Sequence, residues 1–308
     1  MEVGDPRKIA KGIISNDPLN DLSIGSAIHF QLLEFGRSNS TERPNSIRNW
    51  EFFNGAITAV GLKSATSHNV VGTAIIVAPG LAITATHILH DAIGEITAGN
   101  VVPYCFGIRA DGLEIWRVTR LSYVESDDIA LLSLEAVSSF SADATYYRLG
   151  LSTRAPRQGE RLDIFGFRSA PVSDQTLQLG VTGNFYTANG VVANVYPYGR
   201  DKLLLPYPVI EMNCGSLGGM SGGAAIDEHG LVVGVVSRGF DTEDGWGPAY
   251  VSWIIGSLVR SIEIPWPPGF YKGSVSPLSI DRRILFIDRP DALSEGKANA
   301  WSYQIWFE

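Results

Sequence analysis

Residues 218–239 read GGMSGGAAIDEHGLVVGVVSRG, and they place one serine, Ser221, among four glycines directly before an apolar hairpin pattern. The glycines are Gly218, Gly219, Gly222 and Gly223. Glycine lets the backbone adopt positive φ and lets other groups approach closely. A serine held there can act as a nucleophile if a base and an orienting acid lie beside it. The alternative is an ordinary glycine-rich turn with an exposed serine, so the remaining sequence has to supply the two partners.

The composition is that of a globular protein. The chain has 308 residues, enough for one large or two ordinary domains. Its net charge of −8 argues against nucleic acid or an anionic membrane as the main partner. The N-terminal sequence MEVGDPRKIAKG has no apolar signal-peptide core, and no stretch is apolar for long enough to span a bilayer. Two cysteines, Cys105 and Cys214, neither suggest a disulfide framework nor have zinc-site spacing. We therefore expect a cytoplasmic protein without metal or cofactor.

Short β-branched runs alternate with turn signals from about residue 50 to residue 250, which predicts an all-β sandwich or barrel. The runs include VVGTAIIVAPG (70–80), LAITATHI (81–88), LEIWRVTRLSYV (113–124), DIALLSL (128–134), RLDIFGF (161–167), LQLGVTGNF (177–185), GVVANVY (190–196), PVIEMNC (208–214) and HGLVVGVVSRG (229–239). Helical periodicity is best in YVSWIIGSLVRSI (250–262), and a second short helix is expected after Thr86.

A break at STRAPRQGE (152–160) divides the strand-rich region into two halves of similar size. We interpret residues 1–50 as an N-terminal extension, 51–151 and 152–262 as the two halves, and 263–308 as a C-terminal extension. The first extension contains SNSTERPNS (38–46), interpreted as a loop, and the second ends in the aromatic tail WSYQIWF (301–307). We expect that tail to pack on the second half, with a docking strand as the alternative.

A serine hydroxyl needs a neutral imidazole to take its proton and a carboxylate to fix the imidazole tautomer. Among five histidines, His87 follows an apolar run and a small-residue corner, with His90 as the alternative base. Asp128 adjoins the apolar run IALL directly, with Asp127 as the alternative acid. A carboxylate at the edge of a core is tolerated best when it is hydrogen-bonded, for example to an imidazole.

His87, Asp128 and Ser221 occur in the order His, Asp, Ser, on separate connections between apolar runs. The segments TATH (84–87), DIALL (128–132), GMSGG (219–223) and VVSRG (235–239) together resemble trypsin-like serine peptidases of the chymotrypsin fold. In style they are similar to bacterial high-temperature-requirement proteases and to other relatives without disulfides. The likeness covers about residues 50–262.

The resemblance implies two packed antiparallel six-stranded β-barrels, with a crevice between them, that cleave protein or peptide substrates. His87 is then the general base, Asp128 the orienting acid and Ser221 the nucleophile. The remaining assignments are an oxyanion hole from the N–H groups of Gly219 and Ser221, and substrate contacts from Gly215, Ser237, Arg238 and Gly239.

Two departures from the trypsin pattern refine this expectation. Gly215 stands where trypsin-type enzymes carry the acid that binds lysine or arginine, so we expect a small or medium apolar P1 residue, or an acidic one attracted by Arg238. Met220 stands where the digestive enzymes carry an aspartate that pairs with a new N-terminus, so activation by that cleavage is not expected.

Other interpretations remain open. GMSGG also matches the nucleophile elbow of α/β-hydrolases, but that fold requires the order Ser, Asp, His, and only His229 follows Ser221. A protease-fold module that is catalytically silent until a partner activates it is the main alternative. The two extensions are its candidate regulatory segments.

Overall fold

The computed structural model describes residues 10–14, 26–33, 41–47, 53–109, 112–123, 127–137, 145–168, 170–171, 185–240, 247–259, 262–263 and 274–290. Within these ranges no helix is both long and apolar enough to cross a bilayer. The LQLGVTGNF run, apart from its last residue, and the WSYQIWF tail lie outside the described residues.

Among the described residues, three short strands precede the first barrel. They are β1 (Ala10–Ile14), β2 (Ser26–Leu32) and β3 (Asn45–Ile47). β1 pairs with β2, and β3 pairs with a strand of the second barrel, so the expectation of a loop throughout residues 38–46 is wrong at its end. The reason is tertiary, because a barrel edge offers unpaired backbone groups that even a polar segment can satisfy.

The first barrel contains six antiparallel strands in the order β5-β4-β7-β8-β9-β6, closed by pairing between β5 and β6. Their bounds are β4 (Ile57–Lys63), β5 (His68–Ala78), β6 (Leu81–Thr84), β7 (Val102–Arg109), β8 (Gly112–Tyr123) and β9 (Ala130–Ala136). Two short helices, α1 (His87–His90) and α2 (Ile93–Thr97), follow β6, as expected for the segment after Thr86. β10 (Thr145–Arg148) then pairs in parallel with β2.

The second barrel is likewise closed and six-stranded, in the order β11-β15-β16-β17-β14-β13 with β11 paired to β13. Its strands are β11 (Arg161–Phe167), β13 (Phe185–Tyr196), β14 (Val209–Met212), β15 (Ala224–Ile226), β16 (Val232–Gly239) and β17 (Ala249–Trp253). Between β11 and β13, the two-residue β12 (Ala170–Pro171) pairs with β5 of the first barrel. The expected all-β, chymotrypsin-like pair of six-stranded barrels is confirmed.

The helix expected over residues 250–262 is shorter than its periodicity indicates. Only Ile255–Val259 forms a helix, α3, whereas residues 249–253 form β17. β17 pairs with β14 on one side and β16 on the other, so every residue of this strand is buried. Burial on both faces removes the alternation by which a strand is recognised in a sequence.

One hydrophobic cluster spans both barrels and fixes their contact. Phe53, just before β4, packs against Phe185 of β13 with ring centroids 4.6 Å apart and against Phe165 of β11 at 5.1 Å. Phe167 packs edge-on against Phe185 at 4.8 Å. These buried aromatic contacts hold the facing walls of the barrels in one arrangement.

The described residues after α3 end beside the connection between the barrels. They contain β18 (Ile262–Glu263), β19 (Ser274–Val275) and a 3-10 helix (Pro277–Ser279). Farther on, Leu151 donates to the carbonyl of Phe286 and accepts from the N–H of Asp288, each at 3.0 Å. The Asp288 carboxylate also accepts the N–H of Thr153 at 2.6 Å. Residues 285–288 therefore brace the linker between the barrels.

Candidate active site

The register of two neighbouring strands brings His87 next to Asp128. β6 and β9 are antiparallel, with Thr84 opposite Ala130, so the chain that leaves β6 runs beside the chain that enters β9. The N–H of Thr86 donates to the carbonyl of Asp128 at 3.3 Å, which continues the pairing past the strand ends. Residues 41 positions apart in sequence thus become neighbours.

The His87 imidazole is held by the Asp128 carboxylate. Nδ1 lies 2.9 Å from Oδ2 and 3.0 Å from Oδ1, and the backbone N–H of His87 donates to Oδ1 at 3.0 Å. The Asp128 side chain is 4% exposed, whereas that of His87 is 28% exposed. A buried carboxylate on Nδ1 favours the tautomer whose other ring nitrogen, Nε2, is free to accept a proton.

Two hydroxyl groups complete the surroundings of Asp128. The Ser237 hydroxyl donates to Oδ2, and the Tyr207 hydroxyl lies 3.3 Å from Oδ2 and 2.9 Å from Oγ of Ser237. Sequence reasoning assigned Ser237 only to substrate contact and missed Tyr207. Nothing in the segment LPYPVI, where Tyr207 lies, signals this contact across 79 residues.

These contacts determine the protonation of the buried groups. Burial alone would raise the pKa of the Asp128 carboxyl, but the hydrogen bond and charge of His87, with the Ser237 hydroxyl, hold it below its usual value. Burial, and then the charge of Asp128, raises the pKa of Tyr207 to about 12. Asp128 is therefore a carboxylate, and Tyr207 a protonated phenol, throughout the neutral pH range.

The two alternative residues occupy other positions. Asp127 turns away from His87, and its Oδ2 accepts the hydroxyl of Ser257 on α3 at 2.8 Å. His90 lies one turn beyond His87, at the exposed end of α1. Among the four candidates for base and acid, the geometry brings together His87 and Asp128.

The loop that carries Ser221 is fixed to β16 by the residues that follow the serine. The N–H of Gly222 donates to the carbonyl of Val236 at 2.7 Å, and the N–H of Val236 donates to the carbonyl of Gly223 at 2.8 Å. The Ser221 hydroxyl donates to the carbonyl of Ser237 at 2.8 Å. Ser237 thus contacts Ser221 through its backbone and Asp128 through its side chain.

Two N–H groups of the same loop lack an acceptor among the described residues. The N–H groups of Met220, Gly222 and Gly223 each donate to a backbone carbonyl. Those of Gly219 and Ser221 find no acceptor within the described part of the chain. Gly219 has φ +96°, a conformation that glycine adopts without strain. Two unsatisfied N–H groups flanking one residue can receive an anionic oxygen from outside.

A comparison with protein families identifies the kind of domain to which these residues belong. The profile of the trypsin-like peptidase domain matches residues 72–235, more than half of the chain. The chain belongs to the trypsin-like peptidases. No curated protein sequence matches it.

Solved structures similar to this trypsin-like peptidase include proteases. The MamO protease domain from Magnetospirillum magneticum, in its apo form, has a TM-score of 0.46 and 14% identity over 66% of this chain and 93% of its own. Deg5 has a TM-score of 0.47 and 16% identity over 68% and 87%. The HtrA-type protease AlgW, solved with a decapeptide, has a TM-score of 0.42 and 19% identity over 65% and 61%.

Met220, the residue before Ser221, lies in the core of the second barrel of this peptidase. Its side chain is fully buried, and an added Cβ on Gly166 of β11 would lie 2.7 Å from its Cα. The loop therefore lies directly on the β11 backbone. Hydrophobic packing therefore holds the loop at this residue.

The end of β16, to which the sequence analysis assigned substrate contacts, has one unpaired edge among the described residues. Arg238 and Gly239 are exposed, and they pair with Tyr250 and Ala249 of β17 on one edge only. β15, on the other side of β16, pairs no farther than Val235, so within the described residues no strand covers the second edge here. An extended peptide can add to such an edge.

Gly239, assigned to substrate contact, lies against the residue that follows Gly215. A Cβ added to Gly239 would lie 2.4 Å from Oγ of Ser216, the residue after Gly215. The N–H of Gly215 donates to the carbonyl of Glu42 at 3.0 Å, so the N-terminal extension braces this wall. Cys214, next to it, is a buried free thiol whose pKa burial raises to about 12.

Proposed function

We propose that the protein is a serine endopeptidase that cleaves peptide bonds through an acyl-enzyme on Ser221. The observation that carries the proposal is the hydrogen bond between Nδ1 of His87 and the buried carboxylate of Asp128. It is supported by the loop at Ser221, where the N–H groups of Gly219 and Ser221 are left without acceptors in the described chain. The membership in the trypsin-like peptidases agrees with this chemistry.

In the first half of the reaction, Oγ of Ser221 attacks the scissile carbonyl carbon while its proton passes to Nε2 of His87. The N–H groups of Gly219 and Ser221 bind the negative oxygen that forms, and loss of one such donor raises the barrier by about 3–4 kcal/mol. His87 then gives its proton to the leaving amine, which breaks the C–N bond and leaves the acyl group on Ser221.

In the second half, a water molecule repeats the attack and gives its proton to His87. The new oxyanion collapses, the bond to Oγ breaks, and the proton on His87 returns to Ser221. Asp128 stays ionised throughout, which agrees with its lowered pKa, and it stabilises the imidazolium without taking a proton.

For the substrate, the open edge at Arg238 and Gly239 supports an extended peptide bound as an added strand. Gly215, the neighbouring Ser216 and Gly239 include no acid, which supports a small or medium apolar P1 residue over a basic one. The exposed Arg238 favours an acidic residue as the alternative.

A second candidate function rests on the rotamer of Ser221. Its hydroxyl donates to the carbonyl of Ser237, so it must rotate toward His87 before it can give up its proton. A resting module that a partner switches on would hold the serine in this way. The proposed endopeptidase requires only that thermal motion supply the rotation.

The test is labelling with a fluorophosphonate probe, which reacts only with an activated serine. Wild type is compared with Ser221→Ala and His87→Ala, and His90→Ala serves as the matched control. We expect wild type and His90→Ala to be labelled and the other two variants to be unlabelled. An unlabelled but folded wild type would overturn the endopeptidase proposal in favour of the silent module.

A further inference from the structure

Thr73, on β5 of the first barrel, contacts both ends of the tripeptide Gly219–Ser221 in the second barrel. Its hydroxyl donates to the carbonyl of Gly219 at 2.9 Å, across 146 residues of sequence. Its backbone N–H donates to the carbonyl of Ser221 at 2.8 Å. One residue of the first barrel thus holds the first and third carbonyls of the tripeptide that carries the nucleophile.

The direction of the Thr73 hydroxyl proton is determined by its surroundings. Oγ1 accepts the N–H of Phe167 on β11 at 2.8 Å, and the side chain is fully buried. A hydroxyl has one proton and two acceptor positions, so this proton is left to donate to Gly219. The hydroxyl therefore joins three segments, namely β5, β11 and the nucleophile loop.

The loop packs closely against β5 and β6 at Gly222. A Cβ added to Gly222 would lie 2.0 Å from the carbonyl oxygen of Thr73 and 2.2 Å from Oγ1 of Thr84. That same Thr84 hydroxyl donates to the Thr73 carbonyl at 2.6 Å. Both backbone polar groups and the hydroxyl of Thr73 are thus engaged where the two barrels meet.

We propose that Thr73 is a positioning residue for the oxyanion hole. By holding the carbonyl of Gly219, it fixes the peptide plane between Gly219 and Met220. The N–H groups of Gly219 and Ser221 are the amides on either side of that plane. Without the hydroxyl, only the N–H of Met220, which donates to the carbonyl of Leu217 at 3.0 Å, still holds this plane. The two donors are then directed less firmly to a common position. The catalytic part of this inference rests on the proposed function, whereas the hold on the loop does not.

Two variants separate the hydroxyl from the shape of the side chain. Thr73→Val keeps the branched shape and removes the hydroxyl, and Thr73→Ser keeps the hydroxyl and removes a methyl group. Thr58→Val is the matched control, because Thr58 is a buried threonine on the adjacent β4 whose hydroxyl contacts the carbonyl of Ala74, at 3.4 Å, and the Cys105 thiol, and not the nucleophile loop. Should Thr73→Val not fold, the pair Thr73→Ala and Thr73→Ser replaces it.

The first readout is amide hydrogen exchange, followed by mass spectrometry, of the peptide that spans residues 217–223. We expect faster exchange there in Thr73→Val, wild-type exchange in Thr73→Ser and Thr58→Val, and unchanged exchange in β7 and β8. Because this readout needs no activity, it tests the hold on the loop even if wild type is not labelled. Unchanged exchange in the folded Thr73→Val variant would overturn the proposal.

The second readout is the rate of fluorophosphonate labelling as a function of probe concentration and pH. We expect Thr73→Val to lower the limiting rate by about tenfold or more, because loss of one oxyanion donor costs about 10²–10³ in kcat. Thr73→Ser restores the rate, while the probe concentration at half-saturation and the midpoint of the pH profile stay unchanged. Wild-type labelling by Thr73→Val, or a shifted pH midpoint, would overturn the oxyanion role.

Discussion

The hydroxyl of Ser221 donates to the carbonyl oxygen of Ser237 at 2.8 Å. The side chain of the same Ser237 donates to the buried carboxylate of Asp128. One residue at the end of β16 therefore contacts the proposed nucleophile through its backbone and the proposed acid through its side chain. The two contacts can be removed separately, because substitution of the side chain leaves the carbonyl in place.

We expect Ser237→Ala to slow fluorophosphonate labelling by about tenfold. A hydrogen bond to a charged group contributes about 1.5–3 kcal/mol, and about 1.4 kcal/mol is a factor of ten in rate. Asp128 keeps its bonds to His87, so the loss is partial. The control is Ser252→Ala, whose buried hydroxyl on β17 has no partner among the described residues. Equal rates for the two variants would show that the Ser237 hydroxyl does not support Asp128.

We expect Tyr207→Phe to lower the labelling rate by about three- to tenfold with little loss of stability. The variant removes only the hydroxyl that lies 2.9 Å from Ser237 and 3.3 Å from Asp128, and a neutral hydrogen bond contributes about 0.5–1.5 kcal/mol. Tyr196→Phe is the matched control, since its hydroxyl donates to Glu211. If Tyr207→Phe is labelled at the wild-type rate, the Tyr207 hydroxyl does not support Asp128 and the side chain contributes only packing.

We expect the stability difference between wild type and Asp128→Asn to depend on pH. The pKa of Asp128 is lower in the folded protein than its unfolded value of about 3.9, so the ionised carboxylate stabilises the fold above that pH. This contribution is lost as the pH falls through the folded pKa. Melting temperatures measured from pH 7 to pH 3 should therefore converge below about pH 4. A difference that stays constant over this range would contradict the lowered pKa.

Replacement of aspartate by asparagine at position 127, compared with position 128, distinguishes the two candidate acids. Asp127→Asn should keep probe labelling, because Asp127 bonds Ser257 rather than His87. Asp128→Asn should lose labelling by a factor of about 10³ or more, since an amide cannot enforce the required His87 tautomer. The reverse outcome would make Asp127 the functional acid.

We expect Gly222→Ala to be severely destabilising and Gly218→Ala to be tolerated. Gly222 has φ +83°, and its added Cβ would lie 2.0 Å from the carbonyl oxygen of Thr73. An added Cβ on Gly218 meets no atom within 4 Å. Thermal unfolding of the two variants makes the comparison, with a decrease of several degrees expected for Gly222→Ala. Equal melting temperatures would mean that the loop can move away from β5.

Much of the architecture could be predicted from short-range patterns in the sequence. Runs such as DIALLSL and RLDIFGF combine β-branched residues with turn signals, so an all-β fold follows from short-range preferences. The glycines around Ser221 and the order of His87, Asp128 and Ser221 along the chain are likewise properties of the sequence. The two-barrel arrangement was predicted from the resemblance of these motifs to trypsin-like peptidases. The family match over residues 72–235 agrees with that resemblance.

The remaining features depended on residues that are distant in sequence. Residues 250–253 became strand rather than helix because β14 and β16 pair with both of their edges. Asp128 rather than Asp127 meets His87 because of the register between β6 and β9. Tyr207 reaches Asp128 across 79 residues, and Thr73 reaches Gly219 across 146. No local pattern encodes such contacts, because they exist only once the barrels have closed and packed against each other.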